Sequence, residues 1–183
     1  MKTRRLQVLL VAAMTLGATG SAWALDAWRD RRGLFFGVGV GAGSGKSDFK
    51  DADSHIGYHL RARVGGGVSK ELTLDAEFGW HAASFEEGTS DVSNSILTGL
   101  VAANYFVYEG LYLRGMGGVA QLNTDFDPGD SSGDTGLGVG LGLGYEFFAS
   151  ADLAVGVGGD YRLLHFDDFD FTLINFGITA TWY

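Results

Sequence analysis

From Gly33 onward, bulky apolar residues recur at every second position, with glycine or polar residues between them. Alternate residues of an extended strand point to opposite faces, so this period demands strands with one apolar face. The clearest stretch sets Leu137, Val139, Leu141, Leu143, Tyr145 and Phe147 against Gly138, Gly140, Gly142, Gly144 and Glu146. An earlier one sets Leu34, Phe36, Val38, Val40 and Ala42 against Gly37, Gly39, Gly41 and Gly43. Six more follow the same rule. Ile56, Tyr58, Leu60, Ala62 and Val64 oppose His59, Arg61 and Arg63, and Leu72, Leu74, Ala76, Phe78 and Trp80 oppose Asp75, Glu77 and His81. Between Ser95 and Tyr108, Leu97, Val101, Ala103, Tyr105 and Val107 oppose Thr98 and Asn104, and then Leu111, Leu113 and Val119 oppose Tyr112, Arg114 and Met116. Leu153, Val155, Val157, Tyr161 and Leu163 oppose Gly156, Gly158, Asp160 and Arg162, and last Ile174, Phe176, Ile178, Ala180 and Trp182 oppose Asn175, Thr179 and Thr181.

Eight segments of roughly ten residues suit an antiparallel up-and-down sheet closed on itself, each strand spanning a thin bilayer at a tilt. Tight connections are expected at 69–71, 109–110 and 150–152, alternating with four longer polar ones. The size of the side chains decides which face is outside. An eight-stranded barrel has an interior just wide enough to be filled by side chains. The apolar face is too bulky for that space, and the glycine-lined face fits it, so the bulky face must meet lipid. A soluble barrel would need the reverse. Hydrophobic residues make up 46% of the chain, yet past the N-terminus no run reaches the ~18 residues of a spanning helix. The fold expected is therefore all-β: an eight-stranded antiparallel transmembrane β-barrel.

The interior face carries Arg61, Arg63, Arg114 and Arg162 against Asp75, Glu77, Glu146 and Asp160. Buried charges are tolerated when paired, so these eight are expected to form one network that blocks the lumen. Trp28, Phe35, Phe36, Tyr58, Trp80, Tyr105, Tyr108, Tyr112, Tyr145, Phe147, Phe148, Tyr161, Trp182 and Tyr183 fall mainly near segment ends, where interfacial girdles belong.

Ahead of the strands, Lys2, Arg4 and Arg5 precede an apolar stretch over 6–18, and Ala22 and Ala24 stand at the −3 and −1 positions of a cut before Leu25. Residues 1–24 thus read as a cleaved secretory signal peptide, 25–32 as a periplasmic segment and 33–183 as the barrel. In the segment Trp28-Arg29-Asp30-Arg31-Arg32 the arginines are expected to meet anionic headgroups at the periplasmic rim. Cleavage removes three positive charges and takes the formal charge from −9 to −12, which argues against nucleic acid as a partner. The chain has no cysteine, so neither lipoprotein acylation nor a disulfide is available.

Gly-Leu-Phe-Phe-Gly-Val-Gly-Val-Gly at 33–41, Gly-Leu-Tyr-Leu-Arg-Gly at 110–115, Gly-Leu-Gly-Val-Gly-Leu-Gly-Leu-Gly-Tyr-Glu-Phe at 136–147 and the aromatic Tyr183 resemble the OmpA/OmpX-like superfamily of small outer-membrane barrels. The resemblance implies residence in the outer membrane among lipid and lipopolysaccharide, as a monomer. It also implies that the barrel assembly machinery reads the last strand through Tyr183. Thr179 and Thr181 are less apolar than that family signal usually is. No peptidoglycan-binding domain follows the barrel, so wall anchoring is not expected.

The longer connections are acidic: Asp48, Asp51 and Asp53; Glu86, Glu87 and Asp91; Asp125, Asp127, Asp130 and Asp134; Asp167, Asp168 and Asp170. Asp125, Asp127, Asp130 and Asp134 form a candidate cation-binding loop, although the ordered ligand series and closing glutamate of an EF-hand are missing. The bland alternative is a solvated loop sharing divalent counter-ions with lipopolysaccharide. Of four histidines (His55, His59, His81 and His165), His59 and His81 fall on the lumen face, where hydrogen-bonded partners are expected. A hydrolytic triad from His81, Ser84 and Glu86 is the enzymatic alternative, a lipid A-modifying activity, although the His-x-Ser pair of lipid A deacylases is absent. Gly-x-Gly-x-Gly at 37–45 with Lys46 lies inside a strand rather than at a helix N-terminus, so it is lumen lining and not a phosphate loop. The leading expectation is a non-enzymatic barrel without cofactor, with a structural or surface-interaction role through its acidic loops. A narrow channel for small solutes or ions is the runner-up.

Overall fold

The computed structural model describes residues 30–48, 54–87, 90–127 and 130–183, with side chains described except at 85–87, 90–92, 125–127 and 130–131. The signal peptide, Leu25, Trp28 and Arg29, Asp51 and Asp53 lie outside the described residues. Eight strands run β1 Gly33–Ser47, β2 His55–Gly67, β3 Leu72–Glu87, β4 Ser90–Tyr108, β5 Leu111–Asp127, β6 Asp130–Phe148, β7 Leu153–His165 and β8 Asp170–Trp182. Each pairs antiparallel with the next, and β1 pairs with β8 from Phe36↔Trp182 to Ser47↔Phe171, which closes the barrel. Closure leaves no free strand edge around the membrane-spanning belt.

The alternation assigns faces as expected, including in β4, where Thr98 and Asn104 point inward and Val101 and Tyr105 are exposed. The outward face stays apolar, with Leu34 84%, Leu141 72% and Phe176 67% exposed, a degree of exposure that only lipid makes tolerable. Near the end of β4 the register shifts between Phe106 and Tyr108, so Val107 and Tyr108 both stay outside while Phe106 keeps its place inside.

The connections match expectation on one side of the barrel and depart from it on the other. Those at the β2–β3, β4–β5 and β6–β7 corners are tight, and Glu109 takes φ 48° in the two-residue turn before β5. At two of the opposite corners, expected as longer loops, the strands run on instead. The β3–β4 ladder runs unbroken to Glu87↔Ser90 and the β5–β6 ladder to Phe126↔Asp130. Meanwhile β2 leaves β3 at Tyr58↔Ala82, and β7 leaves β6 at His165↔Leu137. The upper ends of β3–β6 thus stand above their neighbours as a four-stranded sheet.

Candidate functional site: lumen and projecting sheet

The inward residues stack in three layers. Across the middle lie three arginines and three carboxylates. Arg114 donates to both oxygens of Asp75, at 2.8 and 3.1 Å, and to Glu77 at 3.0 Å. Arg162 donates to the other Glu77 oxygen at 2.8 Å and, through Nε, to Asp160 at 2.6 Å. Arg61 lies 3.4 Å from Asp160 and 3.9 Å from Glu77. Asn104 donates to Thr73 and Asp75 and accepts from Arg114, while Asn175 donates to Asp160. Taking charges out of water is costly unless geometry and extra hydrogen bonds compensate, and here bidentate pairing and two asparagines do so.

A second group sits at the tight-turn end. Glu146 accepts from Arg31 Nε at 3.0 Å and from the Tyr183 hydroxyl at 2.8 Å, and Arg63 lies 3.5 Å away. Arg63 also donates to Thr181. Arg31 is 1% exposed, and its guanidinium lies 3.7 Å from the centre of the Phe106 ring. The Tyr183 ring packs between Phe35 and Phe148, each with centroids 5.3 Å away.

At the opposite end the lumen is apolar. Ile96, Ala120, Leu122, Leu164, Phe166, Phe171 and Leu173 form one buried cluster with Phe169 packed on it, while Leu100, Ala102 and Met116 form a smaller one beside the middle layer. His59 and His81 face each other across β2 and β3, buried at 2% and 3% exposure. His59 Nε2 and His81 Nδ1 have no hydrogen-bond partner among the described residues, so the satisfied partners expected for them are incomplete.

Glycine has a distinct role here. A Cβ on Gly37 would lie 2.8 Å from Arg63 Nε, and one on Gly39 would lie 2.8 Å from Arg61 Nε. The arginine side chains lie flat on a wall that only glycine leaves low enough.

All eight predicted lumen charges point inward, but their ion pairs divide them into two groups rather than one network. Six of them (Arg61, Asp75, Glu77, Arg114, Asp160 and Arg162) make the middle layer, and Arg63 and Glu146 stand at the mouth. Arg31 corrects the expectation of a rim arginine meeting headgroups: it is a buried lumen residue. Its position, in two-residue step with inward Phe35, was a legible signal. Asp30 and Arg32 do stay exposed and pair with each other, and the Arg32 hydrogen bond holds the Asp30 carboxyl down at about 2. Phe35, Tyr112, Phe148 and Tyr183 are not girdle residues but face the lumen. In the proposed triad His81 points inward while Ser84 is exposed on the other face, bonded to Ser93, so the two cannot act together. Of the candidate cation loop, Asp125 and Asp127 lie on β5 and Asp130 and Asp134 on β6, with Asp134 exposed opposite Leu122. The β5–β6 ladder pairs these two stretches as far as Phe126↔Asp130. The side chains of Asp125, Asp127 and Asp130, like that of Glu86, lie outside the described residues.

A closed eight-stranded meander, apolar towards its surroundings and ionic within, is a transmembrane β-barrel of the outer-membrane class. The chain belongs to the outer membrane protein beta-barrel domain family, which it matches over residues 9–181. It is thus a small bacterial outer-membrane barrel of the OmpA/OmpX-like kind. Among solved structures it is similar to Neisserial surface protein A, with 10% identity over 81% of this chain and 96% of that one, at a TM-score of 0.62. It is also similar to Ail, the attachment invasion locus protein of Yersinia pestis, solved with the heparin analogue sucrose octasulfate. That match has 15% identity over 81% of this chain and 99% of Ail, at a TM-score of 0.59. At such identities the likeness is one of fold. No curated protein matches the sequence.

Proposed function

We propose that this protein is a non-conducting, non-enzymatic barrel that holds a stiff acidic sheet above the outer membrane for contact with cationic surfaces or partners. The observation that carries this reading is the overhang of β3–β6 beyond the points where β2 and β7 leave the sheet. From Ala83 to Glu87 on β3 and from Asp130 to Gly136 on β6, the outer backbone edge has no ladder partner among the described residues. Five to seven residues at about 3.3 Å each give roughly 20 Å of projecting sheet. Over 83–97 and 121–136 the sequence has seven acidic residues and no lysine or arginine. Ail is described with a sulfated, polyanionic analogue. The acidic overhang here would repel such a ligand, so the chemistry favours the opposite partner charge. Three closed layers in the lumen support the non-conducting part.

The test uses the mature chain refolded in phosphatidylcholine nanodiscs, with and without trimming of both hairpins to two-residue turns joining Ser84 to Ser93 and Thr124 to Ser132. A fluorescent lysine-rich peptide should bind the full barrel in a salt-sensitive way and lose binding to the trimmed one. Equal binding to both, or preference for heparin, would overturn the proposal.

A further inference from the structure

We propose that Glu146 is a latch on the closing seam of the barrel, holding the segment that leads into β1 and the residue that follows β8. The β1–β8 ladder joins residues from opposite ends of the strand order, from Phe36↔Trp182 onward. It is the contact of greatest sequence separation, and its loop-closure cost falls on no other ladder to the same degree. Three features at the tight-turn mouth converge on it. Arg31, two residues ahead of β1, places Nε 3.0 Å from Glu146 Oε1, and Tyr183, one residue past β8, donates its hydroxyl to that same oxygen at 2.8 Å. The Tyr183 ring fills the space between Phe35 of β1 and Phe148 of β6, and its backbone N–H donates to the carbonyl of Asp152 at 2.9 Å. Glu146 itself stands on β6, two strands from the seam, and is 2% exposed.

The physical consequence is coupling. A carboxylate so buried is tolerable only while its donors are seated. Opening the seam parts Arg31, on the β1 side, from Tyr183 and Glu146, on the β8 side, and so leaves the carboxylate without its closest cation and exposed to water. Conversely, seating one donor orders the carboxylate oxygen that the other needs. Arg31 and Tyr183 therefore act as one unit although they flank different strands. This role for Tyr183 is separate from recognition of its ring by assembly machinery, because it resides in the hydroxyl.

The test is a double-mutant cycle on the mature chain refolded in phosphatidylcholine vesicles. Unfolding in urea is followed over time by the loss of the compact band on unheated SDS gels. Arg31→Gln and Tyr183→Phe should each speed unfolding roughly tenfold, as expected for loss of a hydrogen bond to a charged group. The double variant should unfold much less than a hundredfold faster, because the second loss removes a donor already misplaced. On a Glu146→Gln background both substitutions should lose most of their effect. Wild-type unfolding by Tyr183→Phe would overturn the proposal, and so would effects that multiply in the double variant. If Glu146→Gln fails to fold, the Arg31/Tyr183 cycle decides alone.

Discussion

Glu77 is the position at which the closed lumen is most vulnerable. One carboxylate takes hydrogen bonds from Arg114 at 3.0 Å and Arg162 at 2.8 Å and has Arg61 at 3.9 Å, with its side chain wholly buried. Two charges about 4 Å apart attract by roughly 4 kcal/mol at the effective dielectric that suits protein sites. Removing one partner of a buried pair typically costs 3–5 kcal/mol, since the other is left uncompensated. Glu77→Gln keeps the volume and one acceptor oxygen, so a loss of about 3 kcal/mol is expected. With a urea dependence of about 2 kcal/mol per molar, the unfolding midpoint in vesicles should fall by about 1.5 M. The middle layer then holds three arginines for two carboxylates. Adding Arg61→Met restores balance and leaves the Arg114–Asp75 and Arg162–Asp160 pairs intact. The double variant should therefore regain about 1–2 kcal/mol over Glu77→Gln, although Arg61→Met alone destabilises. Tryptophan fluorescence across a urea series measures all four proteins. A loss below about 1 kcal/mol for Glu77→Gln would mean a hydrated carboxylate. The closed-lumen reading would fall with it.

In planar bilayers the wild-type barrel should give no steady conductance. Arg61→Ala/Arg63→Ala should stay silent too, because the apolar cluster around Leu164 and Phe171 still closes the far end; adding Leu164→Ala and Phe171→Ala should produce leak. Steady openings in wild type would promote the channel alternative instead. Gly39→Val should lower the urea midpoint by displacing Arg61, whose Cγ and Nε lie 2.9 and 2.8 Å from the new Cβ, whereas Gly115→Ala, which meets nothing within 4 Å, should not. At the exposed rim, Asp30 should titrate at about 2 by NMR, and Arg32→Ala should return it towards 3.8. Its folded value is the lower one, so the pair's small contribution is complete above the ordinary carboxylate value and disappears as pH falls through about 2. An unshifted Asp30 in wild type would refute the pairing.

The strand count, the faces and the outward direction of the apolar side all follow from residues along the chain. They depend on a period of two and on side-chain volume, which are local properties. The eight lumen charges were legible for the same reason: Arg61 and Glu77 sit in step with glycine, opposite Leu60 and Phe78. What tertiary structure alone decided is who meets whom across the lumen. Arg31 and Tyr183 lie outside the strands yet converge on Glu146, 115 and 37 residues away in sequence. No periodicity encodes a distance of that kind. It arises when the shear of a closed barrel brings particular rows to one level. The same holds for the apolar end, where Leu164, Phe166, Phe171 and Leu173 follow the inward step but read as exceptions until a closed wall surrounds them. The long ladders of β3–β6 likewise turn acidic segments that resemble loops into a sheet, because backbone pairing with a neighbouring strand outweighs weak local strand preference.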